Sequence, residues 1–118
     1  MYEIKVIDEF CGAHNLRHYK GKCEAVHGHN WKIEVVVREK ALDEKGMIMD
    51  FKDLKGVLLK VLEKLDHKYL NDIPPFKTKN PTSENIARYI HGKLRDVIKK
   101  KVKVFVWETT NSCASFEN

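Results

Sequence analysis

The sequence of 118 residues lacks three features that would each define a protein class. It has no apolar run near the roughly 18 residues that a membrane-spanning helix needs, so we expect no membrane partner. It has only three cysteines, Cys11, Cys23 and Cys113, and this odd number disfavours a disulfide framework. Met1 opens directly into a charged, alternating segment, so we expect no signal peptide and a cytoplasmic location.

Glycine and proline are scarce as well, and the chain shows no linker, repeat or low-complexity segment. We therefore expect a single domain over residues 1–118 with a modest core. The net charge of +5 comes partly from Lys99, Lys100 and Lys101, with which no aromatic residues interleave. This predicts a solvated turn and no nucleic-acid partner, although the surplus could also attract a polyanionic small substrate.

Two strands are predicted at the start of the chain. Residues 2–10 alternate between apolar and polar side chains, which is typical of a strand with one buried face. After a polar loop, residues 27–38 repeat the alternation. Side chains of a strand repeat every two residues, so His27 and His29 share one face. We expect the two strands to form an antiparallel pair.

Two amphipathic helices follow. Residues 51–65 carry apolar side chains at three- and four-residue spacing, and Asp50 is a suitable N-cap. A second helix is expected to begin with Thr82 or Ser83 as its cap. Helices of this kind bury one stripe of side chains against a sheet.

The last segments predict a strand over 102–110 and a short strand over 114–116. The expected order is therefore β-β-α-α-β-β, and the fold class is α+β, with two helices on one face of an antiparallel sheet. A sheet this small has open edges, which indicates pairing with other subunits.

Histidines near a thiol predict a metal site. A catalytic zinc site typically uses three protein ligands and a water molecule, and His27 and His29 lie close to His14 if the strands pair. The alternative is that these histidines are ordinary core or surface residues. Spacing also leaves open that Cys23 is a fourth ligand, which would make the site closed and structural.

Two further positions carry weaker signals. Asp66 precedes His67, and a carboxylate can orient an imidazole for proton transfer, but spacing alone favours an ordinary helix C-terminus. Glu108 follows an apolar strand, where a carboxylate could accept two hydrogen bonds from an amino-pyrimidine. Spacing alone favours an exposed strand-end residue here too.

Six short segments, spread in order along nearly the whole chain, match one family pattern. They are Phe10–Leu16 (Phe-x-Ala-Ala-His-x-Leu), Cys23–His29 (Cys-x3-His-Gly-His), Gly46–Phe51, Leu65–Asn71 (Leu-Asp-His-x-x-Leu-Asn), Pro81–Asn85 and Trp107–Thr109. The chain thus resembles the 6-pyruvoyl-tetrahydropterin synthase family, and within it the 6-carboxy-tetrahydropterin synthases of queuosine and deazapurine biosynthesis. The resemblance implies the tunnelling fold, with trimers whose sheets join into a barrel, usually stacked as hexamers. It also implies active sites between subunits.

The resemblance also implies roles for individual residues and a substrate, 7,8-dihydroneopterin triphosphate. The implied zinc ligands are His14, His27 and His29. The implied catalytic residues are Cys23 as general acid/base and Asp66 and His67 as its relay partners. The implied pterin-binding residues are Glu108 as anchor, with Thr82, Ser83 and Thr109 as helpers. The candidates for triphosphate binding are Arg17, Lys20 and Lys22.

The resemblance leaves the product open. The carboxy-forming branch releases triphosphate and acetaldehyde. Glu24 lies beside Cys23, and a folate-making branch with a Glu at this place yields 6-hydroxymethyl-dihydropterin, so a folate-type or bifunctional enzyme is the alternative. The short spacing from Cys23 to His27 argues against the pyruvoyl-forming type. A rival of a different class is a small structural zinc module with a basic surface.

Overall fold

A computed structural model describes all 118 residues as one five-stranded sheet with two helices on one face. The strands lie in the order β3-β1-β2-β4-β5. The elements are β1 (Tyr2–His14), β2 (His27–Glu39), α1 (Phe51–Glu63), β3 (Lys68–Tyr69), a 3-10 turn (Leu70–Asp72), α2 (Ser83–Arg95), β4 (Lys101–Thr109) and β5 (Ser112–Glu117). The predicted α+β class is confirmed.

The first hairpin is longer than predicted. β1 and β2 pair along their whole length, from Tyr2 opposite Glu39 to His14 opposite His27. The alternation predicted a strand over residues 2–10, but pairing with β2 extends β1 to His14. This extension places His14 directly beside His27.

β3 is an addition to the predicted order. The predicted order has no element between the two helices, yet Lys68 and Tyr69 pair in parallel with Gly12 and Ala13 at the edge of β1. Two residues are too few for periodicity to reveal a strand. The edge of β1 before Gly12 has no partner strand in the chain.

Strand alternation divides the sheet into a helix-covered face and an open face. On the helix-covered face, side chains of β1, β2 and β4 pack with those of α1 and α2 in a cluster of 22 buried apolar residues. Its largest fully buried members are Trp31, Phe10, Phe76, Ile33, Leu54, Leu58, Leu65, Leu70, Ile86, Ile90 and Leu94. This burial is the main source of stability, because each such side chain contributes about 1.5–3 kcal/mol.

Both predicted helix caps are confirmed. Asp50 accepts a hydrogen bond from the backbone N–H of Lys52, and Thr82 accepts one from the backbone N–H of Asn85. Each cap satisfies a backbone donor that the first helical turn leaves free. Neither helix is long and apolar enough to cross a membrane.

The open face carries charged side chains that pair with one another. Lys5 and Lys32 each lie 3.3 Å from the carboxylate of Glu34, which is buried between them. Burial alone would raise the pKa of Glu34, but hydrogen bonds from the two lysines outweigh it and hold that pKa below its usual value. The two faces of one sheet therefore differ completely in chemistry.

Candidate metal centre

The predicted histidines meet on the helix-covered face, at the end of the β1–β2 pair. His14 closes β1, His27 opens β2 directly opposite, and His29 follows two residues later on the same face. The Nε2 atoms of His14 and His27 are 3.1 Å apart. The ring centroid of His29 lies 5.2 Å from that of His14 and 4.8 Å from that of His27. Strand register alone thus assembles the group.

A carboxylate completes this group. Oε1 of Glu108, in β4, lies 3.0 Å from Nε2 of His29 and 3.6 Å from Nε2 of His14. One ligand atom from each of the four residues falls within 4.8 Å of the others. Glu108 was predicted as a substrate anchor, and its position beside the histidines was not expected from sequence.

Hydrogen bonds to the backbone fix the orientation of two rings. Nδ1 of His14 donates to the carbonyl oxygen of Pro81 at 2.8 Å, and Nδ1 of His27 donates to that of Ala25 at 2.9 Å. A carbonyl oxygen only accepts, so these bonds place the proton on Nδ1 and the lone pair on Nε2. Metal-binding histidines are oriented in this way, with the lone pair directed at the ion.

The surroundings of His29 indicate whether this site suits a metal ion. Its Nε2 is buried and makes no hydrogen bond, although Oε1 of Glu108 lies 3.0 Å away. Burial lowers the pKa of His29, and the neighbouring imidazoles lower it further, while Glu108 opposes the shift. A neutral imidazole with an unpartnered buried nitrogen suits a zinc-type ion, which neutral histidines and a carboxylate commonly bind.

Trp31 forms the wall behind the histidines. It is fully buried, and its Nε1 donates to the carbonyl oxygen of Gly12 at 3.1 Å. Its ring contacts His14 and His29 edge to face, at centroid distances of 4.9 and 5.1 Å. The aromatic wall restricts both rings and excludes water from one side of the site.

The loop before β2 holds the other predicted residues of this stretch. Cys23 is exposed, and its thiol belongs to neither of the two clusters of potential ligands in the chain. Glu24 closes the loop: its carboxylate accepts from the N–H of Leu16 at 3.1 Å, and its own N–H donates to the carbonyl of Leu16 at 2.9 Å. Its carboxylate also lies 3.8 Å from Nδ1 of His27.

Asp66 and His67 form a pair after α1, with Oδ2 of Asp66 2.9 Å from Nδ1 of His67. The backbone N–H of Cys11 donates to Asp66 at 2.9 Å and is the main cause that lowers the pKa of Asp66, with His67 adding to it. Within one chain, the thiol beside this pair is that of Cys11, not that of Cys23. Sequence reasoning missed Cys11, because the contact joins positions 55 residues apart.

Of the remaining predicted residues, one contacts Glu108 at the histidine site and others make hydrogen bonds elsewhere. Ser83 donates to Oε2 of Glu108 at 3.4 Å and so belongs to the site. Thr82 serves as the cap of α2, and Thr109 bonds to Asn111 at 2.9 Å. Arg17 donates to the backbone carbonyls of two other segments, so its guanidinium is structurally engaged.

A helix-backed sheet with histidines converging at the end of its first two strands defines a protein of the tunnelling-fold class. The solved structure of Caenorhabditis elegans 6-pyruvoyl tetrahydropterin synthase matches with a TM-score of 0.85 and 28% identity, over 99% of this chain and 95% of that one. The family model for 6-pyruvoyl tetrahydropterin synthase matches residues 3–118, and the chain belongs to that family.

Two curated relatives carry different activities in their names. The 6-carboxy-5,6,7,8-tetrahydropterin synthase of Synechocystis is 40% identical over 113 residues, covering 91% of this chain and 86% of the relative. The dihydroneopterin monophosphate aldolase of Pyrococcus furiosus is 41% identical over 88 residues, covering 72% of each. The family is therefore one of pterin enzymes, within which the product varies.

Proposed function

We propose that the protein is a zinc-dependent 6-carboxy-5,6,7,8-tetrahydropterin synthase of queuosine biosynthesis. It converts 7,8-dihydroneopterin triphosphate and one water molecule to 6-carboxy-tetrahydropterin, acetaldehyde and triphosphate. The observation that carries this proposal is the convergence of three histidine Nε2 atoms, two of them oriented by backbone carbonyls. The 40% identity to the Synechocystis enzyme supports the choice of product.

His14, His27 and His29 hold the ion in this proposal. Bound zinc supplies a Lewis acid for the oxygens of the substrate side chain, which develop negative charge when a neighbouring carbon loses its proton. Trp31 is buried behind the histidines, and it strengthens that electrostatic effect because it excludes water from one side of the site. No redox step is needed at the metal, which suits zinc.

Glu108 binds the pterin ring through hydrogen bonds from the N–H donors of its amino-pyrimidine edge. The carboxylate lies beside the histidines, so the same residue fixes the distance between ring and metal. Ser83 orients it through Oε2, and Thr82 and Thr109, which adjoin these two residues in the sequence, are the proposed helpers. A half-buried carboxylate with two acceptor oxygens matches a donor–donor edge, which gives specificity for this ring type.

Cys23 transfers the proton between C1′ and C2′ of the side chain, as general base and then as general acid. Asp66 orients His67, and this pair relays the proton. The pair does not touch Cys23 of its own chain, so the proposal requires that it reach Cys23 of another subunit. The unpaired edges of β1 and β5 support such an assembly, a trimer stacked as a hexamer.

A second candidate function is formation of 6-hydroxymethyl-7,8-dihydropterin, alone or beside the carboxy product. The observation that favours it is Glu24, whose carboxylate lies 3.8 Å from His27, together with the 41% identity to the Pyrococcus aldolase. Glu24 also ties the loop to Leu16, which is a sufficient structural reason for its presence. The pyruvoyl product is a third outcome, in keeping with the name of the nematode relative.

The test is incubation of the zinc-loaded protein with 7,8-dihydroneopterin triphosphate and identification of the pterin by mass. The carboxy product supports the proposal; the hydroxymethyl or pyruvoyl product replaces it with the corresponding alternative. Cys23→Ala should retain zinc and lose turnover by about 10²–10⁴-fold, the usual contribution of a general acid/base. Loss of zinc in this variant would instead make Cys23 a ligand and favour the structural zinc module.

A further inference from the structure

A second cluster of potential metal ligands lies at the edge of β1, beside the turn after α1 and outside the three-histidine site. It consists of the thiol of Cys11, the carboxylate of Asp66 and the imidazole of His67, with one ligand atom of each within 4.8 Å of the others. Cys11 projects away from His14 because the side chains of β1 alternate. We propose that these three residues bind a second divalent ion of the zinc type.

The backbone brings the three side chains together. The N–H of Cys11 donates to Oδ1 of Asp66 at 2.9 Å, and the N–H of His67 donates to the carbonyl of Cys11 at 2.6 Å. The backbone N–H and the backbone carbonyl of Cys11 thus both hydrogen-bond to the turn after α1. His67 has φ of +57°, a conformation that non-glycine residues rarely adopt. These bonds hold both partners beside the thiol without any metal.

The donor set selects the kind of ion. Thiolate, imidazole and carboxylate together are zinc-type ligands, whereas calcium and magnesium prefer oxygen alone. Without an ion, the thiol of Cys11 donates a hydrogen bond to Oδ1 of Asn30 at 2.9 Å. Binding of the ion releases the thiol proton and replaces this bond.

The surroundings leave an open coordination position. Cys11 and His67 line a cleft of about 480 Å³, to which Gly12 and Gly28 also contribute. Glycines at these positions present no side chain to the cleft. Three protein ligands with room for water make an open site rather than a closed structural one.

The consequence for activity rests on the proposed function. Asp66 and His67 are the proposed relay, and an ion at this second site occupies the lone pairs that the relay needs. Zinc in excess of the first site should therefore inhibit turnover. Cys11→Ser, which weakens only the second site, should shift this inhibition to higher zinc concentration.

The test uses Co²⁺ added to the metal-free full-length protein, with stoichiometry and the near-ultraviolet thiolate-to-cobalt charge-transfer band as readouts. The three-histidine site contains no thiolate, so it gives no such band. We expect two ions per chain in the unmodified protein, with the band developing as the second ion binds. Cys11→Ser should lose the band and one ion.

Two variants make the assignment specific. Cys23→Ser should keep the band, and so should Cys113→Ser, which removes the remaining exposed thiol. A stoichiometry of one ion, or a band that survives in Cys11→Ser, overturns the proposal. None of these readouts requires turnover, so failure of the second site and failure of the proposed activity are separate results.

Discussion

The two clusters are built differently: the first stands on paired strands, whereas the second joins one residue of β1 to the turn after α1. In the first, His14 is 2% exposed, and backbone carbonyls fix the rings of His14 and His27. In the second, the side chain of His67 is 79% exposed and only Asp66 orients it. The register of β1 and β2 therefore produces a preorganised site, whereas the turn after α1 produces one that water can reach from most sides.

This difference teaches what burial contributes to a metal site. Around His29 the chain leaves a buried nitrogen without a hydrogen bond, which costs free energy until an ion occupies the site. Around His67 solvent satisfies the same kind of nitrogen at no cost. We therefore expect the buried site to bind its ion much more tightly and to carry the chemistry, and the exposed site to respond to metal concentration.

The largest expected effect is the loss of metal from the buried cluster. His27→Ala removes a ring that the carbonyl of Ala25 orients, and should lower affinity by more than the roughly 10- to 100-fold that loss of an outer-shell partner costs. Turnover should fall with it. Metal content after gel filtration is the measurement.

His67→Ala is the matched variant from the exposed cluster, and it should leave this tightly bound ion in place. If both variants lose that ion equally, the contrast between the clusters is wrong.

The next effect is on stability and compares the two tryptophans. Trp31→Ala empties a fully buried position on the helix-covered face and should lower the free energy of unfolding by about 3–5 kcal/mol. Trp107 lies on the open face, partly exposed beneath Lys32. Trp107→Ala should lower the free energy of unfolding by less than half as much as Trp31→Ala does. Urea denaturation of the metal-free proteins gives both values, and equal losses would contradict the assignment of the core to one face.

Sequence periodicity could predict the elements because it is a local signal. The alternation in β1 and β2 fixed the shared face of His27 and His29, and the polar residues at positions 50 and 82 marked both helix starts. These features depend on neighbours a few residues away. For that reason the main strands, both helices and the histidine cluster were accessible without coordinates.

Contacts between distant segments were not accessible in the same way. Glu108 reaches the histidines only because β4 pairs with β2, and Cys11 meets Asp66 across 55 residues. β3 owes its existence to the edge of β1 rather than to its own two residues. The meeting of Cys23 with Asp66 and His67, implied by the family resemblance, involves more than one chain and stays a prediction.

A smaller effect should come from pH. Burial is the main cause that lowers the pKa of both His29 and His91 below the unfolded value of 6.5. As the pH falls below about 6.5, the unfolded chain therefore binds protons first, and the free energy of unfolding decreases. Urea denaturation of metal-free protein at several pH values between about 5 and 7.5 measures this.

His91→Phe provides the control for that experiment. His91 packs against Phe116 at a centroid distance of 4.9 Å, so an aromatic ring should be tolerated there. Removing one titrating group should make the dependence on pH shallower. If the free energy of unfolding of the metal-free protein instead rises as the pH falls over this range, the burial argument is wrong.

The smallest effect belongs to the charged pairs of the open face. Lys5→Ala removes one of two lysines from Glu34 and should change the free energy of unfolding by no more than about 1 kcal/mol, because Lys32 remains at 3.3 Å. The double variant, which also carries Lys32→Ala, leaves a buried carboxylate without a partner. It should therefore cost more than the two single changes added together. If Lys5→Ala alone costs as much as Trp31→Ala, the open face is as important for stability as the core, and the contrast between the two faces fails.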